Sequence, residues 1–313
     1  MDGWGPPVTT TDITTDRRAL EALEAAVRAC ADPDDAPSLP VRPVPAEWRT
    51  VSVADMRTSV DAVLLSRHPD VGLDALQKLG FFDAWLPEVA AMVGFGDGEW
   101  RHKDVWLHTK QVVRQSVPRL VVRWAALLHD IGKPKTRSIS PNGEVHFFGH
   151  AELGASMFRK RVRARLGFEG ADADRIHYLI LHPLRASQYA GEWTDAAVRR
   201  FAKEMGEGLT DLLDLSRADI TTKRAARRKR GLAQISELGA RVREIRTIDS
   251  KVVPLPKGLG TLIAERFSIP PSKRLGEIRD ALAALCDEGT IESERDAEYY
   301  LEYLAANRER FEL

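Results

Sequence analysis

Trp124–Pro134, WAALLHDIGKP, is the stretch on which the fold turns. Apolar residues run into the pair His129-Asp130, and Gly132 and Pro134 then close the run. A helix carrying Val121, Val122, Trp124, Ala125, Leu127 and Leu128 has little polar face, so it is expected to be buried. Glycine and proline just beyond it are the usual punctuation of a helix end. A carboxylate at the last turn of a buried helix is costly unless something compensates its charge. A metal ion is one candidate; hydrogen bonds to nearby backbone are the other.

Working outward, the composition sets bounds. With 313 residues, 43% of them hydrophobic and 29% charged, the chain is an ordinary globular protein of two or more packed subdomains. The 46 basic and 46 acidic residues cancel, so net charge points to no polyanion partner and only local clusters can. Cys30 and Cys286 form no CxxC pair, which argues against thiolate metal sites and for a reducing compartment. No apolar run approaches the roughly 18 residues of a membrane span. The polar start MDGWGPPVTTTD is no signal peptide, so a soluble cytoplasmic protein is expected. The histidines are the anomaly: of eight, all but His68 fall between 102 and 182, which marks that segment as the place to look for chemistry.

Periodicity makes the chain all-α. Residues 1–16 are rich in Gly, Pro and Thr and are expected to be poorly ordered. Arg17–Cys30 has helical spacing, and Pro33, Pro37, Pro40, Pro43 and Pro45 then read as an extended linker. Helices are expected over Val53–Ser66, Pro69–Leu79 and Phe81–Val93, the last kinked at Pro87. A turn containing Gly94, Gly96 and Gly98 follows, then helices over Asp104–Ser116 and Arg119–Ile131. Glu144–Phe148 is the one strand signal. Further helices span Gly149–Leu166, Asp172–Leu181, Thr194–Glu204 and Leu209 to about Ile248. After Pro254 and Pro256, Leu259–Phe267, Lys273–Cys286 and Ser293–Asn307 complete the chain. The expected organisation is an N-terminal helix and linker (1–49), a helical lead-in (50–98), a central domain (99–250) and a C-terminal helical segment (251–313).

Within the central domain, four residues share a character. His108 lies on the apolar side of its helix, with Val105 three before it and Val112 four after. His129 and Asp130 follow one helix later. Asp219, in LLDLSRADI, is an acid on another apolar helical face, and a buried Asp is uncommon unless paired or metal-bound. Imidazole and carboxylate donors projecting inward from separate helices suit a divalent metal.

Those residues resemble the four-residue pattern of the HD metal-dependent phosphohydrolase superfamily. The text around them is similar to the HD domain of bacterial tRNA nucleotidyltransferases, the CCA-adding enzymes. The similar segments are HKDVWLHT (102–109), RWAALLHDIGKP (123–134), HFFGHAELGA (146–155), the His182 segment and LLDLSRADITT (212–222). GLDALQKLGFFDAWLPEVAAMVG (72–94) resembles their lead-in, and the residues after Pro254 their closing helices. The resemblance covers roughly residues 50–305 and implies an HD-domain helical bundle with flanking helical segments. Residues 1–49 lack the Gly-Gly and paired-aspartate motif of the nucleotidyltransferase head, so addition of nucleotides to tRNA is not expected.

Two-metal members of the superfamily add two histidines, and His150 and His182 stand where those fall. The resemblance therefore implies six ligands, His108, His129, Asp130, His150, His182 and Asp219. They would hold two divalent ions (iron, manganese, nickel, cobalt, zinc or magnesium) bridged by Asp130; the alternative is a single ion, with His150 outside its ligand shell or acting as an acid. It also implies attack of a metal-bound hydroxide on phosphorus, with Asp130, Lys133 and His150 as catalytic residues. The implied substrates are phosphomonoesters and 2′,3′-cyclic phosphodiesters of nucleotides or RNA ends. The alternatives are a deoxynucleotide phosphohydrolase and an RNA-binding module with a structural metal. No Gly-Tyr-Pro follows the HD pair, as in the cyclic-di-GMP branch. Gly132-Lys133 stands where the alarmone branch has an acidic pair. Candidate substrate contacts are Lys133, His102, Asp104, His146, Arg185 and Arg217. Lys223, Arg224, Arg227, Arg228, Lys229 and Arg230 read either as a solvated helix face or as a track for an RNA backbone.

Overall fold

The computed structural model describes residues 17–34, 38–96, 104–183, 185–189, 191, 193–250 and 255–313, the side chains of 249, 250 and 287 excepted. Residues 1–16, Pro37, Gly98, His102 and Pro254, which carry expectations above, lie outside them. The described residues fold as helices with one two-stranded hairpin, so the all-α expectation holds. Among them no helix is long and apolar enough to cross a membrane. They divide near residue 242 into two compact units.

In the first unit the principal helices are α1 (Arg17–Ala31), α2 (Val53–Leu65), α3 (Pro69–Lys78), α4 (Val105–Gln115), α5 (Leu120–Leu128), α6 (His150–Met157), α7 (Gly170–Leu181), α8 (Asp195–Met205) and α9 (Leu209–Ala218). The division falls within α10 (Ala225–Ser250). The second unit holds α11 (Leu259–Phe267), α12 (Lys273–Asp287) and α13 (Ala297–Ala306). Their own core is built on Leu259, Ile263, Leu282, Tyr300 and Leu304.

The WAALL helix is α5, and it is central: residues 122–132 are all buried, and α2, α4, α7 and α9 pack around it. Burial on every side explains why its apolar residues leave no polar face. Even Arg123 is inside. Its Nε donates to Ser116 O at 3.0 Å and its Nη1 to Leu64 O at 2.6 Å, so the guanidinium satisfies carbonyls at the ends of α4 and α2. Trp124 meets Phe168 edge to face at 5.1 Å and donates from Nε1 to Asp61 Oδ1 at 2.6 Å.

Four local expectations need correction. The Pro-rich linker is docked: residues Pro45–Trp48 form a helical turn, and Trp48 is buried against Phe81 with Nε1 donating to Leu79 O. α1 packs on α2 and α3 through Ala19, Ala22, Leu23 and Ala26. The helix expected over Phe81–Val93 splits at Leu86 into Phe81–Trp85 and Pro87–Ala90, since Pro87 has no N–H to continue the ladder. The helix expected over Gly149–Leu166 passes through a wider π turn at Phe158–Val162. The one expected from Leu209 onward breaks between Ala218 and Ala225. There Gln115 Nε2 donates to Ala218 O at 2.6 Å and Thr222 Oγ1 accepts from Arg224 N at 3.3 Å, so side chains take backbone groups that a helix would use. The strand signal at 144–148 is β2 (Val145–His146), whose antiparallel partner β1 (Ser138–Ile139) carried no signal of its own.

After α5 the chain turns sharply and brushes α6. A Cβ on Gly132 would sit 2.1 Å from His150 O and 3.0 Å from Gly154 N. The φ of Gly132 is −79°, so space rather than backbone handedness demands glycine here. This contact seats the start of α6 against the end of α5. Gly132→Ala is expected to destabilise the protein by about 1–3 kcal/mol, the cost of overpacking against a rigid neighbour. Thermal unfolding by circular dichroism checks it; an unchanged midpoint would show that the two segments part easily.

Candidate metal centre

Helix ends deliver the central side chains. His108 is in the first turn of α4, His129 caps the C-terminus of α5, His150 opens α6 and Asp219 caps the C-terminus of α9. Asp130 follows His129 in the turn held by Lys133 N bonding to Asp130 O at 3.0 Å.

Asp130 is 1% exposed and its two oxygens face different groups. Oδ2 lies 3.3 Å from His129 Nε2, 3.6 Å from His108 Nε2 and 2.6 Å from Lys133 Nζ. Oδ1 faces His150 Nε2 at 3.9 Å. Asp219 Oδ1 is 3.0 Å from His108 Nε2 and 3.8 Å from His129 Nε2. One ligand atom each from His108, His129 and Asp219 falls within 4.8 Å of the others.

The other ring nitrogens are anchored. His129 Nδ1 bonds Ala126 O at 2.8 Å, His150 Nδ1 bonds Phe147 O at 2.8 Å, and His108 Nδ1 bonds Thr221 Oγ1 at 3.0 Å. A carbonyl only accepts, so Nδ1 carries the hydrogen in His129 and His150, and Nε2 of the neutral ring is a lone pair aimed inward. Tethering the far nitrogen in this way is how proteins orient metal-binding histidines. His129 Nε2 is buried and has no hydrogen-bond partner. An orphaned buried lone pair beside carboxylate oxygens and a second imidazole fits a divalent cation.

Charge is finely opposed here. Burial works to raise the Asp130 pKa, but His129 above all, with Lys133 and His108, holds it well below the usual carboxylate range. Burial works to lower the His129 pKa, and the charges of Asp130 and Asp219 overcome it, leaving the ring more basic than a free imidazole. Asp219 is likewise held low against its burial, by the hydrogen bond from His108 and the charge of His129.

The structure thus brings together His108, His129, Asp130, His150, Asp219 and Lys133. His182 caps the C-terminus of α7, and its ring packs on Tyr178 at 4.5 Å. Lys133 is paired with Asp130, and its Nζ is 5.7 Å from the centre of the Phe147 ring. Arg185 is ion-paired with Glu204 and Arg217 with Asp214. Asp104 is the N-cap of α4, accepting from Leu107 N at 3.0 Å. His146 lies on β2, stacked on Phe148 at 4.9 Å. The basic residues Lys223–Arg230 are all exposed around the start of α10.

Sequence reasoning passed over three features. Thr221 fixes the His108 ring, and its place two residues after Asp219 was the available clue. Phe148, 77% exposed beside His150 in sequence, sat unremarked in HFFGH. A cavity of about 500 Å³ adjoins Asp219, lined by Thr221, Thr222, Arg227, Arg230, Gln234 and Ile235 among others. It had no sequence signal, because it forms where the expected long helix breaks.

Residues 100–223 match the HD domain family. Beyond that domain, the A-adding tRNA nucleotidyltransferase of Deinococcus radiodurans is 32% identical over 263 residues, 81% of this chain and 58% of that protein. The CC-adding tRNA nucleotidyltransferase of Thermus thermophilus is 28% identical over 253 residues, 79% of this chain and 56% of that protein. The matches therefore span a little over half the length of either relative. The resemblance read from the motifs holds.

A metal must displace the proton that the raised basicity of His129 keeps on the metal-free centre. Below the raised pKa of His129, apparent metal affinity is expected to climb about tenfold per pH unit, levelling off above it. Titration calorimetry in buffers of differing ionisation enthalpy should show proton release at pH 6 that fades as the pH rises through that raised pKa. Release that does not change with pH would contradict the assignment of the proton to this ring.

Proposed function

We propose that this protein is a metal-dependent phosphohydrolase acting on phosphoesters of nucleotides or RNA ends, 2′,3′-cyclic phosphodiesters and phosphomonoesters among them. One observation carries the reading: anchored imidazoles of His108 and His129 meet Asp219 and the buried Asp130, with His129 Nε2 left bare. A divalent ion bound there would polarise a phosphoryl oxygen and acidify a water molecule.

The remaining roles belong to side chains. His108, His129, Asp130 and Asp219 would hold the cation. His150, fixed through Nδ1 and facing Asp130 Oδ1 with Nε2, is placed to accept a proton or to join Asp130 in holding a second ion. A second site of the expected kind would take in His182 as well, whose ring packs on Tyr178. Lys133 neutralises Asp130, and its ammonium is placed to meet a phosphate oxygen brought to the centre. Support for the substrate class comes from the relatives, whose names describe A-adding and CC-adding tRNA nucleotidyltransferases.

The test is a screen of the full chain, loaded in turn with manganese, nickel, cobalt, zinc and magnesium, against 2′,3′-cyclic AMP, bis-p-nitrophenyl phosphate and p-nitrophenyl phosphate. Turnover with at least one pairing is expected. His129→Ala and Asp219→Ala should lower it by about a hundredfold or more, as loss of a metal ligand does. Stoichiometric metal with no turnover on any ester would overturn the reading in favour of a metal-stabilised binding module.

A further inference from the structure

The break between α9 and α10 does more than place Asp219. The chain leaves α9 as Asp219-Ile220-Thr221-Thr222 and enters α10, whose early turns present Arg227, Arg230, Gly231, Gln234 and Ile235 at helical spacing. These residues share one face. That face, the Asp219–Thr222 segment and Ser187 enclose the cavity of about 500 Å³ beside the metal centre.

Its chemistry is graded. Ile220 and Ile235 supply apolar wall, and Gly231 lets Ile220 approach, since a Cβ there would be 3.1 Å from Ile220 Cδ1. Thr222, Ser187 and Gln234 supply hydroxyls and an amide. Arg227 and Arg230 supply cationic forks, and no described carboxylate pairs with either. That sets them apart, because Arg217, Arg185 and Arg241 are all ion-paired. Two unpaired guanidiniums in a concave site bind an oxyanion, phosphate above all. The positive end of α10 adds to the same preference. The volume lies within the roughly 300–1,000 Å³ of small-ligand sites and has room for one nucleotide unit.

We propose that this cavity is a second phosphate subsite, which holds the internucleotide phosphate one step before the terminal ester of an RNA strand. The proposal rests on the reading that the centre acts on RNA-end phosphoesters, and it sharpens that reading. Asp219 belongs to both the cavity and the metal centre, so a ligand in one adjoins a ligand in the other. An RNA end carries a second phosphate there; a mononucleoside 2′,3′-cyclic phosphate does not. The cavity would thus select strands over mononucleotides, and Arg227 and Arg230 would do so by position rather than by charge alone.

The experiment measures binding apart from turnover. A fluorescein-labelled oligoribonucleotide with a 3′-phosphate is titrated with the metal-free full chain and followed by anisotropy. A second probe carries an uncharged methylphosphonate at the linkage before the last nucleotide. Wild type is expected to bind the second probe roughly tenfold more weakly, the loss of one charge-assisted contact. Arg227→Gln/Arg230→Gln should bind both probes alike. Lys223→Gln/Lys229→Gln, altered outside the cavity, should weaken both probes but keep the tenfold preference. All four positions are exposed, and circular dichroism confirms folding of each variant.

Equal binding of the two probes by wild type overturns the proposal, as does an arginine variant that weakens both probes yet keeps the preference. Failure to bind either probe overturns it too. Hydrolysis of esters, assayed separately, tells the two readings apart. Discrimination without hydrolysis leaves the subsite standing and removes the activity. Hydrolysis without discrimination does the reverse.

Discussion

The carboxylate of Asp130, almost wholly removed from water, is the constraint that the rest of the centre answers. An unpaired buried charge is among the most expensive things a protein interior can hold. His129, His108, Lys133 and His150 all turn polar atoms toward it, and the ionised form wins despite burial. The same groups leave a bare imidazole nitrogen and a second carboxylate within reach, an arrangement suited to a cation.

Backbone supports this arrangement from behind. Ala126 O and Phe147 O fix two imidazoles, and Gly132, with no side chain, lets the chain after α5 lie against the start of α6. The third imidazole is fixed by Thr221, in the break after α9. Packing and chemistry are therefore one problem: α5 is buried on all sides so that its C-terminal end lands beside α4, α6 and α9. Around the centre, Arg119 and Arg175 are tied to the buried Asp211, and Arg165 to the buried Glu88. These pairs spend charge on the frame, whereas Arg227 and Arg230 keep theirs.

Much of this was legible in the sequence, and the residues show why. Helical periodicity exposed the all-α class, and WAALLHD marked both the central helix and the buried pair. His108 and Asp219 stood out as polar residues on apolar faces, which local text can reveal. His150 was reached through resemblance, and it does face Asp130. What the sequence hid depends on partners distant in the chain. The ion pairs of Arg185 with Glu204 and of Arg217 with Asp214, which the reading of both as phosphate clamps left out, carried no sequence signal. The break after Ala218 was invisible because the side chain of Gln115, a hundred residues earlier, takes the carbonyl that would have continued the helix.

Anomalous diffraction from crystals of the full chain grown with manganese tests the central claim most directly. The account predicts a peak bonded to His108 Nε2, His129 Nε2 and oxygens of Asp130 and Asp219, at about 2.0–2.2 Å as nitrogen and oxygen donors hold such ions. A His129→Ala crystal should lose it. No peak there at saturating manganese, or one that survives the loss of His129, would contradict the account.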